Sequence, residues 1–232
     1  MTADGANWLL VNASPDLSRQ LWRAKALHPR TGTRGSPIKA VVLTGGEIDQ
    51  IAGLLSLRER EPFTICATAT TLAAIADNAI FGALAADVVT RQAVVPGTPQ
   101  MVAGGVQVEL FTVPGKVPLY LEGENPETAT ETAANVGIEI AAGGARLAFI
   151  PGAAAVTPAM KERIARADVV LFDGTLFRDD EMITTKTGTK TGRRIYVHIN
   201  NTNPILVDGS PERVQVERGG WEVAEDGMEI VL

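Results

Sequence analysis

The sequence predicts an α/β fold in which two β-sheets are flanked by helices, and three observations carry that expectation. Apolar, β-branched runs of four to eight residues recur along the chain, each closed by Gly, Pro, Asp or Asn, as strands ended by turns are. Several runs follow one another directly, with helical patterns inserted only between some of them, which argues against one parallel sheet of strictly alternating strands and helices. Some runs alternate apolar and polar residues and others are apolar throughout, the marks of half-buried and interior strands.

Taken in order, the expected strands begin with "WLLVN" (8–12) and "IKAVVLT" (38–44). A helix over 48–60 follows, with apolar residues at Ile48, Ile51, Leu54, Leu55 and Leu57 on one face. "FTICAT" (63–68) is the next strand and Ala69–Ala76 the next helix. In "VQVELFTV" (106–113), Val106, Val108 and Leu110 alternate with Gln107, Glu109 and Phe111, so one face is buried. A long acidic loop over 114–137 leads to "VGIEIA" (136–141) and "RLAFI" (146–150). Gly104-Gly105 and Gly143-Gly144 sit between strands like hairpin turns. Pro158 opens a helix to Ala167, at a position where its missing N–H costs little. "DVVLFD" (168–173), a second long loop over 177–194, "IYVHI" (195–199) and "MEIVL" (228–232) complete the pattern.

Composition narrows the function classes. A net charge of −6, with Lys and Arg dispersed, lacks the basic stripe of a nucleic-acid binder. The single Cys66 excludes an intrachain disulfide and a multi-cysteine metal site, and its apolar surroundings predict a buried, unreactive thiol. No stretch approaches a membrane span and "MTADGANW" is unlike an export signal, so a cytoplasmic protein without membrane contact is expected.

Three potential ligands share one placement. Asp49, Asp173 and His198 each follow an apolar strand within a few residues, and ligands of α/β sheets gather at the carboxyl ends of strands. Two carboxylates and an imidazole suit a divalent first-row metal with half of its coordination sphere open: Fe(II), with zinc or manganese as alternatives. Each residue also has a plainer reading. Asp49 suits the first turn of a helix, Asp173 a turn before Gly174, and His198 a turn in "HINNTNP". A serine hydrolase is poorly supported, because there is no G-x-S-x-G and His28 lies in a Pro- and Gly-bounded loop. Gly45-Gly46 and the other glycine pairs lack the spacing of a nucleotide cradle.

The segments "WLLVNASPDL" (8–17), "LTGGEIDQIAGLLSLRE" (43–59), "VVLFDGTLFRDDEM" (169–182), "GTKTGRR" (188–194), "HINNTNPIL" (198–206) and "SPERVQVERGGWEVAEDGMEI" (210–230) are similar, in order and spacing, to the coenzyme PQQ synthesis protein B family. That resemblance implies a metallo-β-lactamase-like αββα sandwich over 1–232, lacking the family's N-terminal segment and a loop near 194. It also implies that the H-x-H-x-D-H loop corresponds to Gly45, Gly46, Glu47, Ile48, Asp49 and Gln50, so that the first metal site is erased. Asp49, Asp173 and His198 remain as the second site, with Gln50 standing where the family commonly keeps a histidine and offering a carbonyl oxygen instead.

The activity the resemblance implies is iron- and O2-dependent hydroxylation of the tyrosine ring in the cross-linked Glu-Tyr precursor of pyrroloquinoline quinone. A carrier or transport role for PQQ or its precursor is the alternative. A half-open site suits the first reading, and it suits a hydrolase less because Gly45 offers no ligand. The precursor carries several carboxylates, so Lys186, Lys190, Arg193 and Arg194 are candidates to clamp it. Asn200, Asn201, Thr202 and Asn203 are placed to orient the imidazole and the aspartates. A homodimer is an open expectation.

Overall fold

In the computed structural model, which describes residues 1–30, 35–115, 117–118, 120, 130–175 and 192–232, the apolar runs pair into two sheets. The first is wholly parallel, in the order β1 (Trp8–Val11), β2 (Ile38–Val42), β3 (Phe63–Ala67), β4 (Val89–Ala93). The second runs β11 (Glu222–Val223), β10 (Arg193–Val197), β9 (Val169–Asp173), β8 (Ala145–Ile150), β7 (Glu131–Ala142), β6 (Gln107–Pro114), β5 (Gln100–Met101). It is antiparallel from β5 to β8 and parallel from β8 to β11.

Period-two alternation divides each strand between two cores. In β2, Ala40 and Val42 enter the layer between the sheets, while Val41 faces the outer layer that holds Ile51, Leu54, Ile75 and Phe81. In β9, Val169 and Leu171 face inward, and Val170 and Phe172 pack outward with Met160 and Ile164 of α4 (Pro158–Arg166). Helices therefore cover both outer faces: α1 (Leu17–Arg23), α2 (Ile48–Ile51) and α3 (Ala69–Ala76) on the first sheet, and α4 and α5 (Pro211–Arg218) on the second. This is the αββα arrangement expected. Val106, Val108 and Leu110 lie in the inter-sheet core, Cys66 is buried there too, and burial pushes its thiol up to about 11. No helix among the described residues is long and apolar enough to cross a membrane.

Three local expectations need correction. The helix expected over 48–60 is α-helical only to Ile51 and continues as a 3-10 helix from Ala52 to Leu57. The cause is tertiary: the Ala13 N–H takes the Gln50 carbonyl at 2.7 Å, and the Gly53 N–H goes to the Ala13 carbonyl at 2.8 Å, so the i to i−4 ladder is diverted. The expected loop 114–137 gives way to β7 at Glu131, which pairs with β6 as far as Pro114. "MEIVL" is not a strand: the edge beside β10 is taken by Glu222–Val223, and Met228 and Ile230 pack against the inter-sheet core as irregular chain. Short polar elements, α1, β4 and α5, had no strong apolar period to announce them.

Thr157 caps α4, its Oγ1 accepting the Met160 N–H at 3.3 Å, and Pro158 follows as expected. Replacing Thr157 by Ala is expected to lower stability by about 1 kcal/mol, measurable by urea denaturation at unchanged slope.

Candidate functional site

The site end of the molecule is where β2, β9 and β10 finish. β9 and β10 are parallel neighbours with Val197 opposite Asp173, so His198, one residue further, is carried beside Asp173 by register alone. His198 has φ 52°, a left-handed conformation unusual for a non-glycine residue, and through it the chain turns out of β10. The Gly174 N–H holds the Val197 carbonyl at 2.8 Å beneath this turn.

Asp49 arrives from the other sheet, in the first turn of α2. Its loop is tied down on both sides. The Thr44 N–H donates to Asn12 Oδ1 at 2.9 Å, and the register between β6 and β7 slips after Thr112, where the Val136 N–H reaches the Thr44 carbonyl at 2.9 Å. Gly45 then bridges Asn135. Gln50 is buried, and its Oε1 accepts the Glu47 N–H at 3.2 Å while Glu47 accepts from the Gln50 backbone, a reciprocal cap on α2. A Cβ on Gly45 would stand 2.5 Å from that Oε1, so a side chain at position 45 would push the folded-back Gln50 off its cap.

The three sequence-predicted side chains meet, but in a particular order. His198 Nε2 lies 2.9 Å from Asp49 Oδ2, and His198 Nδ1 lies 3.3 Å from Asp173 Oδ1, so the imidazole stands between two carboxylates. Asp49 and His198 have half-exposed side chains, 50% and 43%, whereas Asp173 is only 14% exposed. Hydrogen bonds to Asp173 and then to Asp49 push the imidazole up to about 10, against the burial that opposes its charge. The bond to His198 holds the Asp49 carboxyl below its usual range. A raised folded-state pKa contributes stability that is complete below the ordinary 6.5 and is lost as pH rises through about 10.

The donors do not surround a single point. Asp173 addresses the nitrogen opposite the one that faces Asp49, and among the described residues no group of three His, Cys, Asp or Glu side chains is arranged as a metal cage. What fits a cation is the Asp49–His198 edge, since neighbouring ligands with bonds of about 2.1 Å lie roughly 3 Å apart. Gln50 is committed to its cap.

Other expected participants are placed differently. Arg193 and Arg194 begin β10, five and four residues before His198, which at about 3.3 Å per residue is roughly 16 and 13 Å along the strand. Arg193 grips Glu222 with two bonds of 2.9 and 2.8 Å, and Arg194 lies over the Trp221 ring at 5.6 Å. Lys186 and Lys190 lie outside the described residues. Asn203 donates to the Gly174 carbonyl at 2.7 Å and caps the short turn at Pro204–Leu206. Asn200 accepts the Thr202 N–H at 3.3 Å, and Asn201 and Thr202 are exposed. These residues shape the loop after His198 and do not bond its ring. The residue that does is Thr175, with Oγ1 2.5 Å from Asp173 Oδ1 and 3.2 Å from His198 Nδ1. In the sequence Thr175 reads as a turn residue; a hydroxyl two positions after a strand-end aspartate is the signal that could have singled it out.

A family profile described as a beta-lactamase superfamily domain matches residues 7–215. The coenzyme PQQ synthesis protein B of Methylorubrum extorquens strain AM1 is 48% identical over 256 aligned positions, covering 100% of this chain and 86% of that protein. The crystal structure of Zn(2+)-bound PqqB from Methylobacterium extorquens superposes with a TM-score of 0.94 at 48% identity, again covering 100% of this chain and 86% of that one. A diphosphatase of the PhnP family shares the fold, with a TM-score of 0.68 at 18% identity over 96% of this chain and 78% of its own. The chain belongs to the coenzyme PQQ synthesis protein B family, within the beta-lactamase superfamily.

Proposed function

We propose that this protein acts in pyrroloquinoline quinone biosynthesis, and that the edge between Asp49 and His198 is where it holds a metal ion for that work. The observation that carries this reading is the 2.9 Å approach of Asp49 Oδ2 to His198 Nε2 on the half-exposed side of the imidazole. Binding at Nε2 requires that nitrogen to give up its proton, and Asp173, on the opposite nitrogen, supports the ring in the pose that presents Nε2 outward. The zinc carried by the relative of 48% identity supports metal binding here.

The reaction assigned is hydroxylation of the tyrosine ring in the cross-linked Glu-Tyr precursor. Bound Fe(II) would supply the activation of dioxygen, with zinc and manganese as competing occupants. The chain's own part is to hold the ion by Asp49 and His198, to fix the imidazole from behind through Asp173, and to leave the exposed side open to substrate. One atom of O2 enters the ring as hydroxyl and the other leaves as water, with two electrons and two protons drawn from an added reductant. The test is to load the protein anaerobically with Fe(II), add the cross-linked Glu-Tyr precursor and ascorbate as that reductant, admit O2, and follow mass. Gain of one oxygen atom is expected, and an unaltered precursor on iron-loaded protein would refute the assignment.

A second reading, a carrier for PQQ or its precursor, is favoured by one observation: Gln50 is spent on the α2 cap, leaving two converging donors where a turnover site commonly has three. Replacing Gln50 by Ala is therefore expected to cost about 1 kcal/mol in stability, the value of a cap. Zinc affinity, measured against a chromophoric chelator, should stay unchanged. A fall of the size that accompanies a lost ligand would make Gln50 a donor after all.

A further inference from the structure

We propose that Tyr120 and Ile48 form an apolar wall beside the Asp49–His198 edge, and that the aromatic ring of the substrate lies against it. This deepens the reading above by naming what holds the tyrosine-derived ring of the precursor, and it rests on that reading for the identity of the ring.

The placement of Tyr120 follows from a glycine. Tyr120 Oη donates to the Gly46 carbonyl at 2.7 Å, across 74 positions of the chain. A Cβ on Gly46 would stand 3.1 Å from that oxygen, 3.2 Å from Pro118 Cγ and 3.7 Å from Ala74 Cβ on α3. A side chain there would press on the phenol and the proline together. Gly46 is not among the glycines of positive φ, so what position 46 needs is space. It stands three residues before Asp49, and three residues span at most about 11 Å of chain. The phenol is therefore anchored on the short stretch of backbone that carries Asp49.

The orientation reverses the usual one. A surface tyrosine ordinarily lays its ring on the protein and keeps its hydroxyl in water. Here the hydroxyl is bonded to backbone while the residue is 43% exposed, so what it shows to solvent is chiefly ring. The chain's other tyrosine, Tyr196, is buried and stacked on Trp221 at 4.3 Å, which leaves Tyr120 as the one tyrosine with a face to offer.

Ile48 adds a second apolar surface on the same loop. It opens α2 between Glu47 and Asp49 and is 63% exposed, whereas Ile51 and Leu54, three and six residues on, are buried. A ring brought to the open side of the Asp49–His198 edge would meet the phenol in offset or edge-on contact and release water from both surfaces. Tyr120 and Ile48 are thus substrate-binding residues, and they hold neither the ion nor its ligands.

The test uses the two-tyrosine composition: ring-labelled tyrosine gives two sets of NMR signals. The probe is the cross-linked Glu-Tyr precursor, titrated without iron into metal-free and into zinc-loaded protein. The Tyr120 signals should move and those of Tyr196 should stay. Precursor affinity from the same titration should fall about 3–10-fold in Tyr120→Leu, the worth of an aromatic pair. It should fall about fourfold in Ile48→Ser, the equivalent of one methylene group. Tyr120→Phe keeps the ring and should stay within about twofold of the parent, the low end for one lost hydrogen bond. Silent Tyr120 signals in both forms of the protein overturn the proposal. So does an equal loss in Tyr120→Phe and Tyr120→Leu, which would make the hydroxyl a tether and nothing more. Should Tyr120→Leu fail to fold, Ile48→Ser, at an exposed position, carries the affinity comparison. If the precursor moves Tyr120 but iron-loaded protein leaves it unaltered, the wall stands and the hydroxylation falls. If oxygen is added while Tyr120 stays silent, the wall falls and the hydroxylation stands.

Discussion

Replacing His198 by Ala is expected to lower zinc affinity by more than about 100-fold, beyond the range that follows loss of an outer supporting residue. The reason lies in the count of donors. With Gln50 tied into the α2 cap and Asp173 on the far side of the ring, Asp49 would be left as the one group among the described residues on the ion's edge. A single half-exposed carboxylate competes poorly with water for a transition metal. The fold should survive, because the His198 side chain is 43% exposed and the turn around it is secured by Gly174 and Asn203. Competition against a chromophoric chelator gives the affinity, and circular dichroism checks the fold. A folded H198A that still binds zinc as tightly as the parent would move the metal site elsewhere in the molecule.

Asp49, Asp173 and His198 were all legible in the sequence as residues that follow apolar strands, and for the last two the physical reason is direct. Burial imposes a period of two on the strand runs, and β9 and β10 are parallel, so Asp173 and His198 had to finish at one edge. Strand direction also separates Arg193 and Arg194 from that edge. They open the strand that His198 follows, which puts them at its opposite end, although reading them as part of the 177–194 loop grouped them with Lys186 and Lys190. The break in the 48–60 helix was not legible, because the apolar spacing is helical throughout and only the Ala13 backbone, supplied by the chain after β1, interrupts the ladder. Nor could the tandem of Thr175, Asp173 and His198 be read, since 23 residues separate Thr175 from His198 and the bond depends on strand register. The acidic loop also hid a strand: Glu131 to Asn135 look polar because that part of β7 leaves the core and reaches the loop after β2.

A second large effect is expected far from the site, at Glu139. This carboxylate projects from β7 towards α4, is nearly buried, and accepts from three arginines: Arg146 at 2.7 Å, Arg163 at 3.1 Å and Arg166 at 2.5 and 3.1 Å. Burial alone would raise its carboxyl, but the bonds from Arg166 and then the charges of Arg166 and Arg163 outweigh it and hold the group below the usual range. Removing one member of a buried ionic cluster costs about 3–5 kcal/mol, since the partners are left desolvated. Here the lower end applies. Arg146 and Arg166 are 47% and 48% exposed and can return to water, whereas Arg163, at 17%, keeps only Glu109 and the Phe111 ring at 4.5 Å. Glu139→Ala should therefore lose about 3 kcal/mol near neutral pH and roughly 6–12 °C in Tm. The pH dependence has a definite sign. A carboxylate depressed in the folded state contributes stability that is present above its ordinary 4.5 and disappears as pH falls through the lower folded value. Parent and Glu139→Gln should differ at neutral pH and converge in acid, with urea unfolding as the measurement. If the difference persisted in acid, packing of the side chain between β7 and α4, and not its charge, would be what the three arginines depend on.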